Sequence, residues 1–196
     1  MSEGRIAAVI LAAGESRRLR QPKQLIQLAG ESLLRRTARL AVEAGCAPVF
    51  VVLGYEAEQM CPELNGLSVE TITNCDWEEG MGSSLRCGVA AAQRVGADGV
   101  LVLVCDQPRL TAEHLRALLG RHCEGQASIT ASHYEGHVGV PAVFAASLFP
   151  ELLQIEGDRG ARQVIERHEQ AVQAVDWPEG AVDVDLPEQL RDITAE

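Results

Sequence analysis

Three short apolar runs constrain the fold of this 196-residue chain more than any other feature: Ile6 to Leu11, Pro48 to Leu53 and Gly99 to Cys105. None alternates apolar with polar residues, the pattern of strands buried on both faces. Between them lie segments with helical spacing. Leu33, Leu34, Thr37, Leu40 and Ala41 precede Gly45, and Leu85, Val89, Ala92 and Val95 follow Gly82-Ser83-Ser84. Ser32 is the predicted N-cap of the first helix and Gly45 its stop, while Ser83 or Ser84 is the predicted cap of the second. Strands alternating with helices imply a single-domain, three-layer α/β/α, Rossmann-like fold with a mainly parallel sheet. In such sheets ligands lie beyond the carboxyl ends of the strands. That rule places Ala12-Ala13-Gly14, Gly54 and Asp106 along one rim.

The carboxyl-terminal part is less regular. Ala127 to Thr130 and Val138 to Phe144 read as strands around a glycine-containing turn, Gly157 to His168 as a helix, and Ala171 to Val175 as a short strand. Pro187 stands at a first helical position before Glu188 to Ile193. There is no internal repeat or low-complexity linker, and Pro178-Glu179-Gly180 is a turn, so residues 1–196 read as one domain.

Charge and cysteine usage exclude several classes. A formal net charge of -11 argues against a nucleic-acid surface, which needs broad positive potential. No apolar stretch approaches the roughly 18–20 residues of a membrane span, and residues 1–13 lack a secretory signal. Cysteines at 46, 61, 75, 87, 105 and 123 form no CxxC pair and read as buried free thiols of a reducing cytoplasm. His133 and His137 are four residues apart in a segment read as a loop, and are not taken as metal ligands.

Against the acidic background, Arg17, Arg18, Arg20 and Lys23 fall within seven residues, directly after the first strand and Gly14. A solvated basic loop would have this composition. So would an anion site, in which the glycine lets successive backbone N–H groups converge on phosphate oxygens. Neither GxxxxGK[ST] nor GxGxxG is present, which excludes a P-loop and the dinucleotide fingerprint. Asp106 emerges where the third strand stops, and Gln107-Pro108 turns the chain away. It fits either a turn-forming acid or a magnesium ligand with Asp185 as the second carboxylate, since a hard divalent cation takes oxygen donors. Asp183, two residues from Asp185, would face the opposite way and reads as structural. Trp77 reads as a core or loop anchor before a nucleobase cover.

Taken together these segments resemble the MobA-like nucleotidyltransferase family, most closely its molybdenum cofactor cytidylyltransferases. Leu11-Ala12-Ala13-Gly14-x-Ser16-x-Arg18 with Lys23 is similar to the family's nucleotide loop. Asn74-x-x-Trp77-x-x-Gly80-Met81-Gly82-Ser83-Ser84, Asp106-Gln107-Pro108, Gly139-x-Pro141-Ala142-Val143-Phe144, Gly157-Asp158-Arg159-Gly160-Ala161-Arg162 and Asp183-Val184-Asp185 follow in the family's order. The resemblance implies a fold of the nucleotide-diphospho-sugar transferase type. It also implies transfer of CMP from CTP to molybdopterin, with release of pyrophosphate and with Mg2+ as cofactor. Lys23, Arg18 and Asp106 would be catalytic. Leu11, Ala12, Ala13, Gly14, Arg18, Lys23, Asn74, Ser84 and Asp106 would bind nucleotide, and Asp106 and Asp185 would hold the metal. A molybdoenzyme client would be a further partner.

Ala12-Ala13 is similar to the cytidine-using branch, where guanosine-using members carry a double glycine. Arg20 replaces a common glycine, Leu186-Pro187-Glu188-Gln189 replaces Thr-Pro-Glu-Asp, and Val140 stands where histidine or asparagine is common. These departures keep two other readings open: guanylyl or sugar-phosphate nucleotidyl transfer, and a non-catalytic molybdenum-cofactor accessory protein.

Overall fold

The computed structural model describes residues 4–16, 19, 21–125 and 127–183. Arg17, Arg18, Arg20, Asp185 and the helix expected over Glu188 to Ile193 lie outside the described residues. In chain order the first half contains β1 (Ile6–Ala12), a short hairpin of β2 (Gln27–Leu28) and β3 (Glu31–Ser32), α1 (Leu33–Glu43), β4 (Val49–Leu53), α2 (Ala57–Met60), β5 (Glu70–Thr73) and α3 (Met81–Arg94). The second half contains β6 (Gly99–Val104), α4 (Ala112–Glu124), β7 (Ile129–Tyr134), β8 (His137–Ala145), α5 (Phe149–Leu152), α6 (Arg162–Arg167) and β9 (Val172–Asp176).

Seven strands form one sheet in the order β5-β4-β1-β6-β8-β7-β9. Of these, β8 runs antiparallel to both neighbours, and the remaining pairings are parallel. From β1 the chain steps outward to β4 and β5, then returns to the other side of β1 to lay down β6. The order therefore reverses between β1 and β6, and a crevice opens beyond their carboxyl ends. Alternation along β1 feeds two cores: Ala7, Val9 and Leu11 pack with Leu85 and Val89 of α3, while Ala8, Ile10 and Ala12 pack with Leu34 and Ala38 of α1 and Leu115 and Leu118 of α4. Each large aliphatic side chain buried this way contributes about 1.5–3 kcal/mol, which is what holds helices to both faces.

Local signals explain several boundaries. Ser32 caps α1, its hydroxyl accepting from Arg35 N at 3.2 Å, and Gly45 follows the helix with φ 96°. The cap of α3 differs from expectation. Helix α3 starts at Met81 behind Gly80, without a side-chain cap, and Ser83 and Ser84 lie buried inside its first turn. The Ser83 hydroxyl donates to Gly80 O at 2.9 Å, so it binds back to the preceding turn and leaves the helix's leading N–H groups alone.

The loop expected around His133 and His137 is instead a continuous hairpin, since Glu135 and Gly136 both take positive φ (48° and 75°) and close β7 onto β8 in two residues. His133 lies beside Asp176, Nδ1 to Oδ1 2.8 Å. No cluster of three or more His, Cys, Asp or Glu that could hold a metal occurs among the described residues. The helix expected over Gly157 to His168 is broken into a 3-10 turn, Gly157–Arg159, and α6, because Gly157 and Gly160 have φ 69° and 51°. Helix α4 was not anticipated. Its signals are present nonetheless: Thr111 accepts from His114 N at 3.2 Å, with Leu115 and Leu118 at core spacing.

The cysteines also depart from expectation. Cys46 and Cys105 are buried and Cys87 half-buried, but Cys61, Cys75 and Cys123 are exposed; all six are free. No described helix is long and apolar enough to cross a membrane.

Two predictions follow from burial. The thiols of Cys46 and Cys105 are pushed up to about 12 by desolvation. Iodoacetamide should therefore label Cys61, Cys75 and Cys123 in the folded protein and reach Cys46 and Cys105 only after unfolding, as peptide mass mapping would show. The second concerns His114, stacked on Trp177 with ring centroids 4.6 Å apart and hydrogen-bonded through Nε2 to Ser132 Oγ at 2.8 Å. Burial lowers its pKa to about 4, against 6.5 when unfolded. The unfolded chain thus binds the extra proton between these values, and stability falls as pH drops through that window. At pH 5 the loss from His114 is about 2 kcal/mol. The melting-temperature difference between pH 7 and pH 5 should shrink in His114→Gln.

Candidate active site

The crevice between β1 and β6 is built from two loops. One follows β1, with residues 13–16, 19, 21 and 22 described, and the other, residues 105–111, follows β6. The first loop is held by a side chain that sequence reading passed over. Gln24 is 1% exposed, and its Nε2 donates to Ala12 O at 3.0 Å and Gly14 O at 2.8 Å. Ser16 Oγ closes the loop by accepting from Lys23 N at 3.1 Å, and Ser16 itself takes the left-handed conformation, φ 56°. Among the described residues of this loop the left-handed one is thus Ser16, and Gly14 does not take a positive φ. At Gly14 a Cβ would meet nothing within 4 Å, so its bareness leaves open space facing the crevice.

This closure presents Lys23 on the 3-10 turn Lys23–Leu25, where Nζ pairs with Asp106 Oδ2 across the crevice. Both side chains keep about a fifth of their surface accessible, 23% for Lys23 and 20% for Asp106. The Asp106 loop is tethered from α1, with Arg36 donating to Pro108 O at 3.2 Å and Leu110 O at 3.1 Å.

A cavity of about 400 Å3 opens here. Leu11, Ala13, Gly14, Lys23, Ser84 and Asp106 line it. Two expected nucleotide contacts sit behind that lining. The Ala12 side chain is buried in the α1/α4 core, and its carbonyl is taken by Gln24. Asn74 is buried, its Nδ2 donating to Ser83 Oγ at 2.8 Å and Ser84 Oγ at 3.0 Å. It positions the serines in the first turn of α3, whose N-terminus faces the cavity and favours an anion there. Trp77 is half-buried against Tyr55, ring centroids 5.5 Å apart, and also lines the cavity.

The glycine motifs meet at the cavity edge. A Cβ on Gly82 would lie 2.8 Å from Ile155 O, and one on Gly80 2.4 Å from Asp158 Oδ1. Arg86 adds a bond to Ile155 O at 2.6 Å. The start of α3 and the turn Gly157–Arg159 can approach this closely only without side chains between them.

Of the expected metal ligands, Asp106 stands at the cavity edge, and Asp185 lies outside the described residues along with the expected phosphate contact Arg18. Glu15, Glu78 and Asp158 also line the cavity, and carboxylate oxygens of this kind suit a magnesium ion that arrives with phosphate oxygens of its own.

A mainly parallel α/β sheet with a crevice of about 400 Å3 at its switch point is the arrangement in which open α/β proteins bind ligands. Residues 8–172 match the MobA-like NTP transferase domain, and the chain belongs to that family. It is 34% identical to the nicotine blue oxidoreductase of Paenarthrobacter nicotinovorans over 94% of each chain. It is 31% identical to the purine catabolism protein PucB of Bacillus subtilis, covering 94% of this chain and 93% of that one. It is also 32% identical to the probable molybdenum cofactor guanylyltransferase of Opitutus terrae, covering 71% and 66%. Among solved structures, a Mycobacterium tuberculosis protein in complex with manganese superposes with TM-score 0.77 at 28% identity, covering 98% of this chain and 99% of that one.

Gln24→Met keeps the volume and removes both donors to the loop. Each carbonyl that loses its donor costs about 1–3 kcal/mol. The variant should melt at lower temperature and bind magnesium nucleotide roughly tenfold more weakly by calorimetric titration.

Proposed function

We propose that this protein transfers CMP from CTP to the terminal phosphate of a molybdopterin-type cofactor, releasing pyrophosphate. The observation that carries the reading is the Lys23–Asp106 pair, which puts one cation and one carboxylate on opposite walls of a crevice faced by a helix N-terminus. Backbone N–H groups of the loop after β1, Lys23 and Arg18 would bind the triphosphate. Asp106 and Asp185 would hold magnesium, which when bound offsets charge on the phosphate oxygens. Lys23 would then exchange its carboxylate partner for phosphate. An oxygen of the acceptor phosphate forms the new bond to the α-phosphorus, and the bond from the α-phosphorus to the bridging oxygen breaks as pyrophosphate leaves. The acceptor's second pKa of about 6 leaves it largely ionised at neutral pH, so no general base is assigned. Positioning and charge stabilisation supply the acceleration.

The preference for cytidine rests on Ala13, the member of the Ala12-Ala13 pair that lines the cavity. One methyl group shifts a pocket's choice by about 1–3 kcal/mol. A second reading, guanylyl transfer, has the support of the Opitutus terrae relative's name.

A pyrophosphate-release assay with CTP, GTP, ATP and UTP, magnesium and purified molybdopterin should give the highest rate with CTP. Lys23→Ala should lower that rate by about 10²–10³. An undiminished rate in this variant would remove Lys23 from the reaction. Nucleotide binding without pyrophosphate release would point to the accessory role.

A further inference from the structure

The six free cysteines divide between the two faces of the sheet. Cys46 and Cys105 belong to the core on the α1/α4 face. Cys61 and Cys123 stand on elements packed into that same core through Leu64 and through Leu115 and Leu118. Cys87, half-buried on α3, packs against the opposite core, and Cys75 is exposed in the segment that joins β5 to α3.

That segment is fastened to the first turn of α3 on both sides of Cys75. Asn74 Nδ2 donates to Ser83 Oγ at 2.8 Å, and Ser83 Oγ lies 2.9 Å from Asp76 O. Asn74 Oδ1 also accepts from Asp76 N at 3.0 Å, so Cys75 occupies the corner of an Asx turn. Cys87 follows Ser83 by one turn of α3, the spacing at which helical side chains share a face with Cβ atoms about 5–6 Å apart. Both thiols are therefore neighbours of the same serine. The electrostatics agree: the Cys87 thiol is raised above its ordinary value by burial first, with Arg86 opposing and the charges of Asp76 and Cys75 adding.

We propose that Cys75 and Cys87 form a reversible disulfide, a redox-modification site on the wall of the cavity between β1 and β6. The ring it closes contains Trp77, Glu78, Gly80, Met81 and Ser84, all of which line that cavity. The step is exchange with a small-molecule disulfide, RSSR, as oxidant. The exposed Cys75 thiolate attacks one sulfur of RSSR, the S–S bond breaks, and RS⁻ leaves. The Cys87 thiolate then attacks the Cys75 sulfur, the bond from that sulfur to SR breaks, and a second RS⁻ leaves. Two protein thiols lose two electrons, RSSR gains them, and the two protons pass to the released thiolates. Exposure sets the order, because burial keeps Cys87 protonated and out of reach of the oxidant.

The test incubates the reduced, folded chain with oxidised glutathione, blocks remaining thiols with N-ethylmaleimide in denaturant, and maps peptides by mass without reduction. The expected result is a Cys75–Cys87 linked peptide pair that dithiothreitol removes. In Cys87→Ser, Cys75 should instead stop as its glutathione adduct. Three results would each overturn the proposal: Cys75 carrying glutathione in the native protein while Cys87 takes N-ethylmaleimide, Cys75 joined to another cysteine, or an equal yield of the pair when oxidation is run in concentrated urea. Mapping of the native protein needs no variant and so does not depend on how Cys87→Ser folds. It is read without nucleotide, so it stands or falls separately from nucleotidyl transfer.

Discussion

Strand β1 is hydrogen-bonded along both edges, to β4 and to β6, and covered on both faces by apolar side chains. Its backbone polar groups and its side chains are thereby used up within the sheet. The chain that leaves it must find partners for its own N–H and C=O groups in a crevice walled by two loops and a helix end. That requirement shapes the site. Gln24 meets part of it from inside the protein, and the carbonyls it engages at Ala12 and Gly14 fix the path of the loop. Gly14 itself lines the cavity.

The remaining motifs serve this arrangement at different depths. Asn74 sits one layer back and works through Ser83 and Ser84. Gly80 and Gly82 allow the start of α3 to lie against the turn Gly157–Arg159, which closes the far side of the crevice. Arg36, on the opposite face of the sheet, restrains the loop that carries Asp106. The glycines and Arg36 act through backbone contacts with segments remote in sequence, whereas Asn74 acts through the serine hydroxyls nine and ten residues on.

Asp106 lines both this cavity and an adjoining one of about 760 Å3, and Gln107 lines only the second. The carboxylate meets Lys23 where the two cavities share their lining, while the neighbouring amide is buried, its Nε2 donating to Val140 O at 3.0 Å.

The apolar runs at β1, β4 and β6, the helix cap at Ser32 and the glycine stop at 45 were legible because they depend on local chemistry and on burial that leaves an uninterrupted aliphatic pattern. For the same reason the rim was legible: a parallel sheet puts its ligands at the carboxyl ends of its strands. What only the tertiary structure decided are the contacts made across long sequence separations. The pairing of Lys23 with Asp106 spans 83 residues, and the one-sided tethering of Gln107 by Val140 spans 33. The left-handed conformation at Ser16, and Asn74 placed behind the serines, follow from how neighbouring elements pack. A sequence states which groups are available; the energy of leaving each buried polar atom paired or unpaired is set only when the strands are in register.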